Sequence, residues 1–131
     1  MKGKWIRELG ETEPQTVVVF VHGVLSNGET CWRHENGTYW PELLSRHQAT
    51  GDVGIYEFTY HTDFFSGSYN LSDIVDALRE HLRLDGVNRA RKIVFVAHSM
   101  GGIVARRYVV QRFDVLSQPC ALLVGEHLAE M

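Results

Sequence analysis

The sequence alternates between short runs that are apolar on nearly every residue and longer runs that are apolar on every third or fourth. Thr16 to Val21, TVVVFV, is the most uniform run of the first kind, and Ile93 to Val96, IVFV, is the second. Continuous β-branched runs of this length predict strands covered on both faces, as in parallel sheets. Val53 to Tyr60, carrying Ile55, Tyr56, Phe58 and Tyr60, predicts a third strand. Lys4 to Leu9 (KWIREL) and Ala121 to Val124 (ALLV) predict two shorter ones. Between them, Leu71, Ile74, Val75, Leu78 and Leu82 keep a helical period that opens behind Asn70 and Asp73 and stops at Asp85-Gly86. Pro41 suits a first helical turn, and Trp40, Leu43, Leu44 and His47 share one helical face. Ile103, Val104, Tyr108 and Val109 predict a last helix, running to about Arg112. Glu29 to Tyr39 and His61 to Tyr69 read as loops, and Gly125 to Met131 as a tail.

Strands that alternate with helices predict an α/β fold: a mostly parallel sheet with helices on both faces. The chain has 131 residues and no internal repeat, so it is read as one domain spanning 1–131. Such sheets bind ligands beyond the C-terminal ends of their strands. Two chemically pointed segments sit at those ends. His22-Gly23 follows TVVVFV directly, and Ala97-His98-Ser99-Met100-Gly101 follows IVFV.

The second segment has the small-x-Ser-x-Gly spacing of a nucleophile elbow, with Ala97 in the first small position. A serine on a tight strand-to-helix turn is pushed out above the sheet edge. Small residues two before and two after it let the strand and helix backbones approach closely enough for that turn. The helix start behind the serine then offers unpaired N–H groups and a positive dipole end to a developing oxyanion. The plainer alternative is a turn that only joins a strand to a helix. The β-branched strand before Ser99 and the helical pattern after it favour the elbow.

Charge and composition narrow the function further. Lys and Arg number 13 against 16 Asp and Glu, a net charge of −3, which gives no electrostatic reason to expect nucleic acid or an anionic membrane surface as partner. No apolar run approaches a transmembrane length, and the N-terminal MKGKWIRELG lacks the apolar core of a signal peptide. Cys31 and Cys120 allow one bridge at most and are read as reduced thiols in a cytoplasmic protein. No Cys/His spacing suits a metal and no phosphate-binding glycine motif follows a strand, so no metal or other cofactor is expected.

VVVFVHGVLSNG followed by VFVAHSMGGIVARRYVV resembles the α/β-hydrolase superfamily over about residues 16–112, and within it the serine lipases, esterases and lipid deacylases with an AHSMGG elbow. The resemblance implies that Ser99 is the acylated nucleophile, that the backbone N–H groups of Val24 and Met100 form the oxyanion hole, and that Gly23 and Gly101 are the glycines of loop and elbow. It implies an acyl-ester or lipid substrate. His22 corresponds to a structural residue of the family, and His98, the neighbour of Ser99 on a tight turn, points away from it.

The pattern departs from the family after Ser99, where the triad calls for an acid and then a histidine. The sole histidine in that stretch is His127, next to Glu126, and adjacent side chains do not bridge one another and also reach a serine. Asp114 falls at the end of the helix remote from the site. His61 follows the third strand at the correct end of the sheet but starts about 10 Å from the elbow strand, two strand spacings away, and reads as a pocket residue. The sequence thus reads as an incomplete α/β-hydrolase fold that lacks C-terminal strands. Its last strand would present an edge for self-association or for a C-terminal partner. Two functions follow: a serine ester hydrolase completed by residues elsewhere, or a non-catalytic binding or signalling module on the same scaffold.

Overall fold

A computed structural model of the chain describes residues 1–11, 15–23, 28–60, 70–115 and 121–123. In chain order its elements are β1 (Lys2–Arg7), β2 (Thr16–Val21), α1 (Gly28–Trp32), α2 (Trp40–Arg46), β3 (Gly54–Thr59), α3 (Leu71–Leu84), β4 (Lys92–Ala97), α4 (Met100–Val115) and β5 (Ala121–Leu123). One five-stranded sheet runs in the order β1-β3-β2-β4-β5. Strands β3, β2, β4 and β5 are parallel, and β1 lies antiparallel on β3 at one edge. The mostly parallel sheet with helices on both faces is therefore as the sequence predicts.

The alternating side chains of the central strands divide the core in two. Val17, Val19 and Val21 of β2, with Tyr56, Phe58 and Phe95, bury against Ile74, Val75, Leu78 and Leu82 of α3 and Val104, Ala105 and Tyr108 of α4. Val18, Phe20, Ile55 and Val96 face the other way, onto Trp32 of α1 and Tyr39. This two-sided burial is why β2 carries no polar residue after Thr16. Helix α3 is fixed at its start by a capping box, in which the Asn70 side chain accepts from the Asp73 N–H and the Asp73 carboxylate accepts from the Asn70 N–H. Gly86, at φ 76°, takes the left-handed conformation just past its end.

Three differences from the sequence reading exceed a single residue. β1 begins two residues earlier, at Lys2, and ends at Arg7, because its register is set by pairing with β3, Lys2 opposite Thr59 and Trp5 opposite Tyr56. The expected loop over Glu29–Tyr39 contains α1 and an isolated bridge between Arg33 and Tyr39. α4 runs on to Val115. The Arg7 guanidinium explains part of the first shift: it donates to the carbonyls of Val53, Ser45 and Thr50 and so ties the end of β1 to the turn after α2. The loop expected at His61–Tyr69 and the tail Gly125–Met131 lie outside the described residues.

Candidate active site

The sheet brings the two chemical segments side by side. β2 and β4 pair in parallel with Val21 opposite Ala97, and the His98 N–H extends the ladder by donating to the Val21 carbonyl at 3.1 Å. The chain then turns sharply. Gly101 and Gly102 donate to the carbonyls of His98 and Ser99 at 3.0 and 2.9 Å, closing the first turn of α4. The Met100 N–H, one residue past Ser99, belongs to the helix-start amides that have no intrahelical carbonyl to meet.

Ser99 sits at φ 55°, and among the described residues it is the one non-glycine residue in the left-handed region. That conformation costs an L-residue roughly 1–2 kcal/mol, so the turn is held by its surroundings. Those surroundings are tight. A Cβ on Gly101 would stand 2.3 Å from the Val21 carbonyl oxygen and 2.5 Å from that of His22. A Cβ on Gly23 would stand 2.8 Å from His98 Nδ1 and 2.9 Å from Ser99 Cβ. Glycine is thus required at both places by the approach of α4 and of the His22-Gly23 segment to the serine turn. Ser99 itself is exposed, at the C-terminal end of the parallel strands. If the left-handed turn is strained, Ser99→Gly should raise stability by about 1 kcal/mol and the melting temperature by a few degrees. Thermal denaturation checks this, and an unchanged or lower midpoint would count against the strain.

His22 is fully buried. Its Nε2 accepts from the Tyr60 N–H at 3.1 Å, and its Nδ1 lies 2.9 Å from the Gly23 carbonyl. An amide can only donate and a carbonyl only accept, so the ring is neutral with its proton on Nδ1. Burial also pushes its pKa down, against the smaller opposing effect of the Gly23 and Tyr60 hydrogen bonds. The Tyr60 ring stacks on the imidazole at 4.2 Å between centroids, and its hydroxyl donates to the His22 carbonyl at 2.7 Å. Burial pushes that hydroxyl above the usual phenol range. Tyr60 was not singled out by its sequence. The signal was its position two residues past Phe58, which pairs with Val21 and so sets Tyr60 level with Gly23.

The sequence model of the alpha/beta hydrolase family matches residues 18–128, most of the chain. The chain belongs to the α/β-hydrolase family. No curated protein matches the sequence. Within this hydrolase scaffold the structure brings Gly23, Ser99, Met100 and Gly101 together at one end of the sheet. Val24, His61, Glu126 and His127 lie outside the described residues.

Three further described histidines have local partners. His34 Nδ1 accepts from the Asn36 N–H, and His47 Nδ1 accepts from the Ala49 N–H. His81 lies in the last turn of α3, its Nδ1 4.0 Å from the Asp85 carboxylate and its ring 5.7 Å from that of Phe58. Among the described residues, no group of three or more His, Cys, Asp or Glu side chains could hold a metal ion, and no helix is long and apolar enough to cross a membrane.

Proposed function

We propose that the chain is a serine acyl-ester hydrolase of the lipase, esterase or deacylase kind, with Ser99 as its nucleophile. The observation that carries this reading is Ser99 at positive φ on an exposed strand-to-helix turn that Gly23 and Gly101 alone make room for. A strained, exposed serine at that place has no packing role to explain it. In the proposed reaction Ser99 Oγ attacks the ester carbonyl, and the oxyanion is held by the N–H groups of Met100 and Val24. The alcohol then leaves, and water releases the acid from the acyl-serine.

The hydroxyl proton needs a base, and His22 cannot take it while Nε2 accepts from Tyr60. The proposal therefore assigns the base to a histidine supplied by a C-terminal extension or a partner chain, with the β5 edge as the surface for either. A cytoplasmic setting belongs to the same proposal. The second reading, a non-catalytic binding module, is favoured by one observation: each histidine with a hydrogen bond or ion pair described above is committed to a local structural partner.

Residues 1–131 alone should hydrolyse p-nitrophenyl esters barely above background, with no more than the roughly 10³–10⁴-fold over water that an oxyanion hole and binding supply without a complete triad. The chain should also self-associate. Turnover should rise when an extension or partner carrying a histidine is added. A well-behaved monomer whose esterase activity vanishes in both Ser99→Ala and His61→Ala would overturn this view and make His61 the base.

A further inference from the structure

The peptide joining Gly23 to the next residue has its carbonyl pinned by His22 Nδ1–H at 2.9 Å. A peptide unit is planar, so an anchor on the Gly23 carbonyl constrains the peptide plane by which the chain leaves Gly23. The peptide before it is fixed as well, because the His22 carbonyl accepts from the Tyr60 hydroxyl at 2.7 Å. Both anchors lead back to one residue. Tyr60 holds the His22 ring by stacking at 4.2 Å, holds its Nε2 through its own backbone N–H at 3.1 Å, and holds its carbonyl through the phenol. All of this is buried, with Tyr60 2% exposed and His22 0%.

We infer that Tyr60 is a positioning residue of the oxyanion hole: acting through His22, it sets two successive peptide planes of the loop that faces Ser99. The inference rests on the assignment of Ser99 as nucleophile. It gives β3 a part in the chemistry although Tyr60 touches no reacting atom. The backbone N–H of residue 60 also decides the His22 tautomer, since it forces Nε2 to accept and leaves the proton on Nδ1, where the Gly23 carbonyl needs it. The phenol adds what the backbone cannot, an anchor for the peptide on the near side of Gly23.

The test uses the 131-residue chain and a fluorophosphonate, whose phosphoryl oxygen occupies the oxyanion position when Ser99 is modified. Tyr60→Phe keeps the stacked ring and the N–H and removes only the hydroxyl. The maximal rate of Ser99 phosphonylation, followed by mass spectrometry of the adduct, should fall about tenfold, a fraction of the 10²–10³ seen when a whole oxyanion donor is removed, while the concentration for half-maximal rate stays unchanged. Independently, ¹⁵N NMR of the wild-type chain should show His22 with Nδ1 protonated and Nε2 bare, and the Nδ1–H resonance should shift when Ser99 is phosphonylated. Labelling of wild type at Ser99 with an unchanged Tyr60→Phe rate overturns the positioning role and leaves the nucleophile standing. So does a His22 ring protonated on Nε2, or a Nδ1–H signal that does not respond to phosphonylation, neither of which depends on the variant folding. No labelling of wild type at Ser99 removes the nucleophile assignment and this inference with it.

Discussion

A fluorophosphonate probe is expected to form its adduct on Ser99 and on no other serine, and Ser99→Ala is expected to reduce labelling to background. The argument is geometric. Ser99 is exposed at the C-terminal end of β4 on a left-handed turn, with the start of α4 directly behind it. Reaction with the probe builds negative charge on a phosphoryl oxygen, and helix-start amides stabilise such charge where ordinary surface positions offer only water. Ser45, by contrast, donates its hydroxyl to the Glu42 carbonyl inside α2, and a hydroxyl spent on its own helix is a poor nucleophile. Peptide mass spectrometry locates the adduct. Recovery of the label on Ser26, Ser45, Ser66 or Ser117 would remove Ser99 from the mechanism.

The largest effect on stability is expected at Gly101. Its missing Cβ lies 2.3 Å from one backbone oxygen and 2.5 Å from another, and a backbone atom of the central strand cannot swing aside as a side chain does. Gly101→Ala must push α4 off β2 or break the turn, so a loss of about 3–5 kcal/mol is expected, at the upper end of single-residue effects. Gly102→Ala provides the internal control. No atom lies within 4 Å of its would-be Cβ, and alanine is the better helix former by roughly 0.5–1 kcal/mol. Urea denaturation should therefore move the two midpoints in opposite directions. A Gly101→Ala midpoint equal to that of wild type would mean that α4 does not pack on Val21 and His22 as described.

The serine turn also marks how far the sequence could be read. Ser99 and Gly101 were legible because an elbow is a local backbone constraint, and it forces small residues at fixed spacing. β2 and β4 were legible because burial on both faces leaves a run with no polar positions. Glu57 shows the limit of that logic: it is 5% exposed in the middle of β3, where the two-sided sheet buries a carboxylate that a half-exposed strand would turn to water. α1 escaped notice because five residues are too few to show a period, and what fixes it is tertiary, the packing of Trp32 on Phe20 with ring centroids 5.1 Å apart. Tyr60 escaped for a similar reason. Its partner His22 is close only through the β2–β3 register, which no local pattern announces. The base that the proposed reaction needs would come from a segment distant in sequence, so spacing around Ser99 carries no word of it.

The strand order has a consequence for synthesis. β2 is the most apolar strand and is made early, yet both of its neighbours, β3 and β4, come later in the chain. β1 offers it no help, because β1 pairs with β3 instead. The emerging chain therefore carries Val17 to Val21 with no partner on either edge until β3 is translated, and with one edge open until Thr16 can meet Lys92. Contacts between residues so distant in sequence form slowly and leave apolar segments open to aggregation meanwhile. The same wait applies to the serine turn. The His22-Gly23 segment meets the serine turn only when His98 and Ser99 arrive, after the longest loop in the sheet has closed, so the proposed reactivity of Ser99 would be a readout of completed folding.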